Sequence, residues 1–224
     1  MNNFNYKAYR NHLSYPYIVI DDWYNEQEEK AVWKELDYYS TLPKNYIKRA
    51  EDTAIARDNE GNPKGKSFRF YANQYYTETG SQISPIFNCL YKQKSKEFHS
   101  IVDHHTKPYN RMFLQSNVDN TLISYYEDGD FYDAHWDVFT WSMCIWFVRE
   151  PRKFTGGDFV FNEINEKVEL KHNRAVFFPS CYLHSVEKIN MNEGIKDIGW
   201  GRYTITHFYT YVPSEFMKWN HLKF

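Results

Sequence analysis

The stretch "FYDAHWDVFTW" (131–141) places His135 two residues before Asp137 in an aromatic neighbourhood. Residues two apart on a β-strand point to the same face, so these two side chains would project together, while Trp136 would face the other way in a structural role. At that spacing they could occupy neighbouring coordination positions of one metal ion. With 9 histidines and 29 acidic residues in 224 positions, about one such pair is expected by chance, so the pair needs support from the rest of the chain.

From residue 111 onward the sequence is a succession of short strands. Segments such as "TLISYYED", "WSMCIWFVRE" and "RYTITHFYTYVP" are rich in β-branched and aromatic residues, and turn clusters at 127–130 and 155–157 interrupt the series. This spacing is typical of an antiparallel sandwich or barrel. We therefore predict an α+β, mainly β fold whose core, residues 111–213, is a double-stranded β-helix (jelly roll).

The N-terminal part, residues 1–110, is predicted to support this core with two helices. Asn25 and Glu28 form a capping-box pattern, and a helix with one apolar face follows. The pair Ser84-Pro85 combines a cap with a first-turn proline and predicts a second helix, which we expect to run to about Val102.

A polar segment, residues 44–66, separates these helices and is broken by Gly and Pro without a steady hydrophobic period. It predicts a long loop, and loops of this length in compact domains are often lids or binding loops. The sequence contains no inter-domain linker, so we expect one domain over residues 1–224.

Composition narrows the function classes. The net charge is −2, so we expect neither a nucleic-acid nor a membrane partner. Aromatic residues make up 20% of the chain, which favours strands packed with large rings. The three cysteines, Cys89, Cys144 and Cys181, are too far apart for a CxxC zinc site and suit a reducing compartment. The N-terminus lacks the apolar core of a signal peptide, and we expect a soluble, cytoplasmic protein.

A third metal ligand and an anion clamp can be assigned downstream. His184 in "RAVFFPSCYLHSV" follows a hydrophobic strand that ends at Pro179, and it is the best candidate to join His135 and Asp137. Two imidazoles and one carboxylate leave one side of an ion open, as in non-haem Fe(II) oxygenases. Arg202 and Thr204 lie two apart on the last long strand, where a guanidinium and a hydroxyl can hold a carboxylate together. An open metal beside such a clamp suits 2-oxoglutarate.

The order "YYEDGDFYDAHWD … GGDFVF … RAVFFPSCYLHSV … GRYTIT" resembles the Fe(II)- and 2-oxoglutarate-dependent dioxygenases of the prolyl 4-hydroxylase type, over roughly residues 120–212. The resemblance implies that His135, Asp137 and His184 bind iron. It implies further that Arg202, assisted by Thr204, binds the distal carboxylate of 2-oxoglutarate. Tyr126 falls where the family has a tyrosine that contacts this co-substrate, and a shift of one residue would put Tyr125 there instead.

One departure from the family concerns the clamp. Arg202 lies 18 positions after His184, beyond the polar insertion "NMNEGIKDIGW", whereas prolyl hydroxylases commonly use a lysine closer to the histidine. The oxygenase resemblance is therefore stronger than the prolyl one.

The resemblance implies a hydroxylase that uses Fe(II), 2-oxoglutarate and O2, with ascorbate as an optional addition, and that releases succinate and CO2. The expected substrate is a peptidyl or free amino-acid side chain, with proline as the first candidate. Two alternatives stay open at this point: a non-catalytic jelly-roll binding module, and a cupin-like metalloenzyme that does not use 2-oxoglutarate. The oligomeric state is not predicted.

Three other histidines could compete for a metal role. His104 and His105 are adjacent, so on a polar loop they would point in different directions, and we expect a surface role. His207 lies at odd spacing from Arg202 on the same strand, so we expect it to face away from the clamp.

Overall fold

The computed structural model describes residues 4–10, 15–42, 47–74, 76, 83–195 and 199–213. Within these residues four α-helices lie in the N-terminal half: α1 (Glu26–Ser40), α2 (Pro85–Asn88), α3 (Lys96–His105) and α4 (Asn110–Leu114). Three-residue 3-10 turns occur at Ala50–Asp52, Ala72–Gln74 and Cys89–Tyr91. None of the described helices is long and apolar enough to cross a membrane.

Helix α1 forms as the capping-box pattern predicts. The Asn25 side chain accepts the backbone N–H groups of Gln27 and Glu28, and the Glu28 carboxylate accepts the N–H of Asn25. The apolar face of the helix, with Val32 and Leu36 fully buried, packs into the core. The cap and the apolar face together fix where the helix begins and which side it buries.

The predicted second helix is wrong in its length, because the chain breaks into α2, a 3-10 turn and α3. Ser95 starts a new helix by accepting the N–H of Phe98 through its side chain. Just before it, Lys92 is buried, and its Nζ donates to the carbonyl of Trp23 at 2.6 Å. This tertiary contact and the second helix cap interrupt the single helix that the spacing of apolar residues predicted. As a result His104 and His105 end α3 rather than lying in a loop, although His104 is exposed as expected.

Fifteen strands in the described part of the chain make the protein mainly β, as predicted. They are β1 (Asn5–Arg10), β2 (Pro16–Asp21), β3 (Lys48–Arg49), β4 (Gly65–Lys66), β5 (Phe68–Tyr71), β6 (Val118–Tyr126), β7 (Phe131–His135), β8 (Trp141–Phe147), β9 (Phe154–Thr155), β10 (Phe159–Phe161), β11 (Glu166–Val168), β12 (Ala175–Pro179), β13 (His184–Val186), β14 (Asn190–Met191) and β15 (Arg202–Thr210).

The strands form two large antiparallel sheets. The main sheet has the order β1-β2-β12-β8-β15-β6-β5-β3, and the minor sheet has the order β11-β10-β13-β7-β4. A further pair joins β14 to β9. Strands from the first 110 residues therefore extend both sheets, so the N-terminal part contributes to the β architecture as well as supporting it. The prediction of a single domain stays a prediction.

Two aromatic cores lie on opposite faces of the main sheet. One packs α1, α2, α3 and α4 against the outer face, around Trp141 and Phe177. The other lies between the two sheets, around Trp146, Phe159 and Phe178. All five of these rings are at most 1% exposed. The aromatic richness of the sequence therefore serves packing, and the space between the sheets is where functional side chains can gather in a dry environment.

The predicted loop 44–66 is pinned at both ends rather than free; residues 44–46 lie outside the described part. Strand β3 pairs with β5, and β4 pairs with β7. Arg49 binds the carboxylate of Asp130 through both terminal nitrogens, at 2.6 and 3.1 Å. Because Asp130 is buried in the turn before β7, this ion pair ties the loop to the turn that leads to His135.

Candidate metal centre

Three of the residues predicted from the sequence come together between the sheets. His135 ends β7, His184 begins β13, and the two are direct partners in the minor sheet. The Nε2 atoms of His135 and His184 lie 3.8 and 3.7 Å from the two carboxylate oxygens of Asp137. One ligand atom from each residue lies within 4.8 Å of the others, and this is the group of metal-ligating side chains found in the described part of the chain. The three side chains could hold one metal ion.

The strand argument for His135 and Asp137 was only partly right. Strand β7 ends at His135, and Asp137 lies just beyond it, where its N–H donates to the carbonyl of Ser180 at 2.9 Å. The prediction that Trp136 faces away from the site in a structural role is wrong: its side chain is 63% exposed and lines the mouth of the metal cavity. Because the strand ends there, consecutive residues are free to converge on one side.

Backbone contacts fix the imidazoles in the form that a metal requires. The Nδ1 atom of His135 donates to the carbonyl of Asp133, and that of His184 to the carbonyl of Tyr182, both at 2.8 Å. With Nδ1 carrying the proton, each Nε2 presents a lone pair to the site. Burial and the neighbouring His184 lower the pKa of His135 to about 2, so this ring is neutral at physiological pH.

Two serines that the sequence did not point out orient the carboxylate. Ser142 donates its hydroxyl to Oδ2 of Asp137 at 2.6 Å and lies 2.8 Å from the hydroxyl of Ser180. Both serines are fully buried, on or next to β8 and β12. Hydrogen bonds of this kind hold a metal-binding carboxylate in one orientation. Serine on a strand has no distinguishing pattern, which is why the sequence did not reveal them.

The predicted clamp residues also lie in the cavity. Nη1 of Arg202 donates to Oγ1 of Thr204 at 2.7 Å, and Arg202 is only 1% exposed. Its Nε is buried with no hydrogen-bond partner, and no described carboxylate forms an ion pair with it. The Arg202 guanidinium lies 5.0 Å from the ring of Tyr126 and 5.5 Å from that of Trp146. Burial lowers the pKa of Arg202, as expected for a cation that lacks its anion.

The register of the main sheet distinguishes the two tyrosines. Tyr126 pairs directly with Arg202 and lines the same cavity. Tyr125 points to the opposite face, where its hydroxyl accepts the N–H groups of Gly199 and Gly201 at 2.9 and 3.1 Å. Tyr126 is therefore the tyrosine that the fold places beside the clamp.

The glycine pair before β10 makes room for the clamp. Gly157 has a φ of +81°, and a Cβ there would lie 2.5 Å from Cδ1 of Ile189 and 3.3 Å from Cδ of Arg202. A side chain at this position would press on the guanidinium stem. The predicted turn before a strand thus also shapes the site.

Metal ligands and clamp share one cavity of about 310 Å³. Ala54, Ile55 and Ala56 of the 44–66 segment form part of its wall. His207 lies outside this cavity: it is buried on the opposite face of β15, with Nδ1 2.9 Å from the hydroxyl of Thr121, as the odd spacing predicted.

Comparison with known proteins agrees with this geometry. Residues 121–210 match the family described as the 2OG-Fe(II) oxygenase superfamily. The chain is similar to a prolyl-4-hydroxylase from Pseudomonas putida, with 15% identity, a TM-score of 0.56 and coverage of 90% of this chain and 95% of that one. It is also similar to a prolyl hydroxylase from Trichoplax adhaerens in complex with a hypoxia inducible factor oxygen degradation domain peptide fragment, with 12% identity, a TM-score of 0.55 and coverage of 87% and 83%.

A third similar structure is an oxidoreductase of the 2OG-Fe(II) oxygenase family from Burkholderia pseudomallei, with 13% identity, a TM-score of 0.51 and coverage of 87% and 84%. At such identities these structures establish the fold alone, a jelly-roll core with supporting helices. A search of curated protein sequences gave no match. The match over residues 121–210 and the fold confirm the predicted resemblance to the 2-oxoglutarate- and Fe(II)-dependent oxygenases.

The described residues fit the metal and the co-substrate that this family implies. Two imidazoles and one carboxylate are the donor set of a facial Fe(II) site. The buried guanidinium of Arg202, with an unpartnered Nε and no described anion beside it, fits a carboxylate ligand such as that of 2-oxoglutarate.

Proposed function

We propose that this protein is an Fe(II)- and 2-oxoglutarate-dependent dioxygenase that hydroxylates a peptidyl or free amino-acid side chain. In this proposal His135, Asp137 and His184 are the Fe(II) ligands, and Arg202 with Thr204 binds the distal carboxylate of 2-oxoglutarate. The observation that carries the proposal is the buried Arg202, whose Nε lacks a partner in the cavity that holds the three ligands. An uncompensated guanidinium at this depth is costly unless an anion binds it.

Bound Fe(II) with 2-oxoglutarate and O2 supplies the oxidising power that replaces a C–H bond of the substrate by C–OH, with succinate and CO2 as co-products. The protein's own residues hold and orient the groups that would bind the metal and the co-substrate. The Nδ1–H bonds of His135 and His184 fix the two rings, and Ser142 fixes the carboxylate of Asp137. The ring of Tyr126 covers one side of the clamp, and the aromatic walls exclude water from it.

Proline is the first candidate substrate residue, because the order of motifs resembles the prolyl 4-hydroxylases. The position of Arg202, 18 residues after His184, departs from that type, so a different amino-acid side chain stays within the proposal. Segment 44–66, of which Ala54, Ile55 and Ala56 form part of the cavity wall, is proposed to act as its lid. We include ascorbate as an addition that sustains turnover.

The direct test is turnover with a peptide library that includes proline-containing members, in the presence of Fe(II), 2-oxoglutarate and air. We expect succinate to form and at least one peptide or free amino acid to gain the mass of one oxygen atom. Asp137→Ala should abolish both signals, and Arg202→Gln should raise the 2-oxoglutarate requirement roughly 10- to 100-fold.

Arg111→Gln is the matched control for the second variant, because Arg111 is exposed on α4 and has no described ion pair. A protein that forms no succinate under these conditions would be a binding module, or a metalloenzyme that does not use 2-oxoglutarate. Near-normal 2-oxoglutarate dependence in Arg202→Gln would mean that another residue binds the co-substrate.

A further inference from the structure

A second arginine, Arg69, lies in the wall of the same cavity. Strand β5 pairs with β6 and β6 with β15, so that Arg69 is opposite Ser124 and Ser124 is opposite Thr204. Directly paired residues of antiparallel strands point to the same face, and all three line the cavity. With strands about 4.8 Å apart, the backbone of Arg69 is roughly 10 Å from that of Thr204, so Arg69 lies on the same wall of the cavity as the clamp, two strands away from it.

Arg69 is 9% exposed, and its side chain makes one hydrogen bond, from Nη2 to the carbonyl of Ala54 at 3.0 Å. No described carboxylate pairs with it. Other partly buried arginines of the chain do have such partners: Arg49 binds Asp130, and Arg174 binds Asp21. A buried guanidinium that retains unused donors is the unusual case, and it fits an anion that enters from outside.

Arg69 lines the same cavity as His135, Asp137 and His184. Among the described residues that line the cavity, Asp137 is the acidic one, and the other polar groups near Arg69 are hydroxyls such as Ser67.

A count of formal charges shows what is missing. Asp137 offsets one of the two cavity arginines, and the charges of Fe(II) and of doubly ionised 2-oxoglutarate cancel each other. One positive charge then remains, which a single negative charge on the substrate would neutralise. Buried sites of low dielectric favour such neutrality strongly.

We propose that Arg69 binds a carboxylate of the substrate and so determines specificity. The enzyme would select molecules that carry a carboxylate close to the hydroxylated carbon, either the α-carboxylate of a free amino acid or the side chain of an Asp or Glu in a peptide. The planar fork of the guanidinium matches a carboxylate through two parallel hydrogen bonds. This inference rests on the proposed function, because it assigns the substrate class of the same site.

The test uses matched pairs that differ only in the carboxylate. One panel contains free L-amino acids and their carboxamides, and the other contains capped tetrapeptides with Asp or Glu and their Asn or Gln counterparts. Each compound is incubated in air with the Fe(II)- and 2-oxoglutarate-loaded protein, and its hydroxylation is measured by mass spectrometry. Binding to the Mn(II)-loaded protein is read in parallel by thermal stabilisation. We expect a preference of about 10- to 100-fold for the carboxylate member in at least one panel, and the responding panel identifies the source of the carboxylate.

In Arg69→Gln the preference should disappear, whereas Arg69→Lys should restore part of it because it keeps the charge. Both variants retain a donor for the Ala54 carbonyl, which separates substrate binding from support of the wall. Arg111→Gln is the exposed control and should keep the preference. The proposal is overturned if neither panel shows a carboxylate preference, if Arg69→Gln retains it, or if Arg69→Gln instead weakens 2-oxoglutarate binding.

Failure of this inference differs from failure of the proposed function. If the wild-type protein with Fe(II) and 2-oxoglutarate forms succinate but discriminates no pair, the inference about Arg69 alone is wrong. If it forms no succinate and shows no absorption band with Fe(II) and 2-oxoglutarate, the proposed function fails first.

Discussion

Arg202 and Thr204 act as one unit, because the hydroxyl of Thr204 accepts a hydrogen bond from Nη1 of Arg202 at 2.7 Å and fixes the guanidinium. The Nε atom of Arg202 has no hydrogen-bond partner in the cavity. Because the two residues lie on one face of β15, the rest of the sheet determines what they meet. Direct pairing brings Tyr126 to Arg202, and the opposing minor sheet supplies the histidines. The clamp and the metal centre thus belong to opposite sheets, and packing between the sheets sets the distance between them.

Orientation of the metal carboxylate is expected to depend on Ser142. Removing its hydroxyl in Ser142→Ala deprives Oδ2 of Asp137 of a 2.6 Å hydrogen bond in a fully buried position. We expect Fe(II) affinity to fall about 10-fold or more. Titration with Mn(II) or Fe(II) measures this, and Ser100→Ala, on the exposed face of α3, serves as the control. Unchanged metal affinity in Ser142→Ala would show that the serine does not position the ligand.

The glycine beside the clamp offers a test with a built-in control. Gly157→Ala introduces a Cβ 3.3 Å from Cδ of Arg202 and should weaken 2-oxoglutarate binding, whereas the metal affinity should stay near that of the wild type. Gly194 has nearly the same φ, +82°, but a Cβ added there would have no neighbour within 4 Å, so Gly194→Ala imposes similar backbone strain without the contact. Equal 2-oxoglutarate affinities in the two variants would contradict the role given to Gly157.

Trp136 is exposed at the mouth of the cavity, so we expect it to contact substrate rather than to hold the fold. Trp136→Ala should leave the thermal midpoint and the Fe(II) affinity nearly unchanged and raise the KM for substrate several-fold. Tyr38→Ala is a suitable control, because Tyr38 is 60% exposed on α1, against 63% for Trp136. A large loss of thermal stability in Trp136→Ala, with KM unaffected, would restore the structural role that the sequence suggested.

The Arg49–Asp130 ion pair is expected to hold the candidate lid. Arg49→Met leaves a carboxylate that is 2% exposed without its cation and should cost about 1–3 kcal/mol of the free energy of unfolding. The rate of amide hydrogen exchange within residues 50–56 should rise by more than the loss in the free energy of global unfolding explains. Arg174→Met, which breaks the pair with Asp21 elsewhere, gives the comparison. Equal exchange of residues 50–56 in the two variants would show that the ion pair does not restrain the segment.

The sequence predicted the fold class and the residues that converge on the site, because strand periodicity and the order of motifs are local properties. It located His135, Asp137, His184 and Arg202 before any contact was known, and the structure brings all four into one cavity. The reason given for Asp137 was nevertheless incomplete, because the strand ends before it and a bond to the Ser180 carbonyl completes the geometry.

Other features depended on tertiary contacts that no local pattern encodes. Ser142 and Arg69 look like ordinary strand residues until the register places them beside Asp137 and Ser124. The helix predicted from residue 84 onward breaks because Lys92 reaches the Trp23 carbonyl and Ser95 caps a new helix. Such contacts become visible only when residues far apart in the sequence are brought together.

The central claim is that this cavity binds Fe(II) and 2-oxoglutarate together, and one measurement tests it most directly. Under anaerobic conditions, Fe(II) and 2-oxoglutarate are added to the protein, and the weak visible metal-to-ligand absorption band is recorded for the wild type, Asp137→Ala and Arg202→Gln. We expect the band in the wild type, its loss in Asp137→Ala, and in Arg202→Gln a band that forms only at much higher 2-oxoglutarate concentration. Absence of the band in the folded wild-type protein, or an undiminished band in Asp137→Ala, would contradict the account.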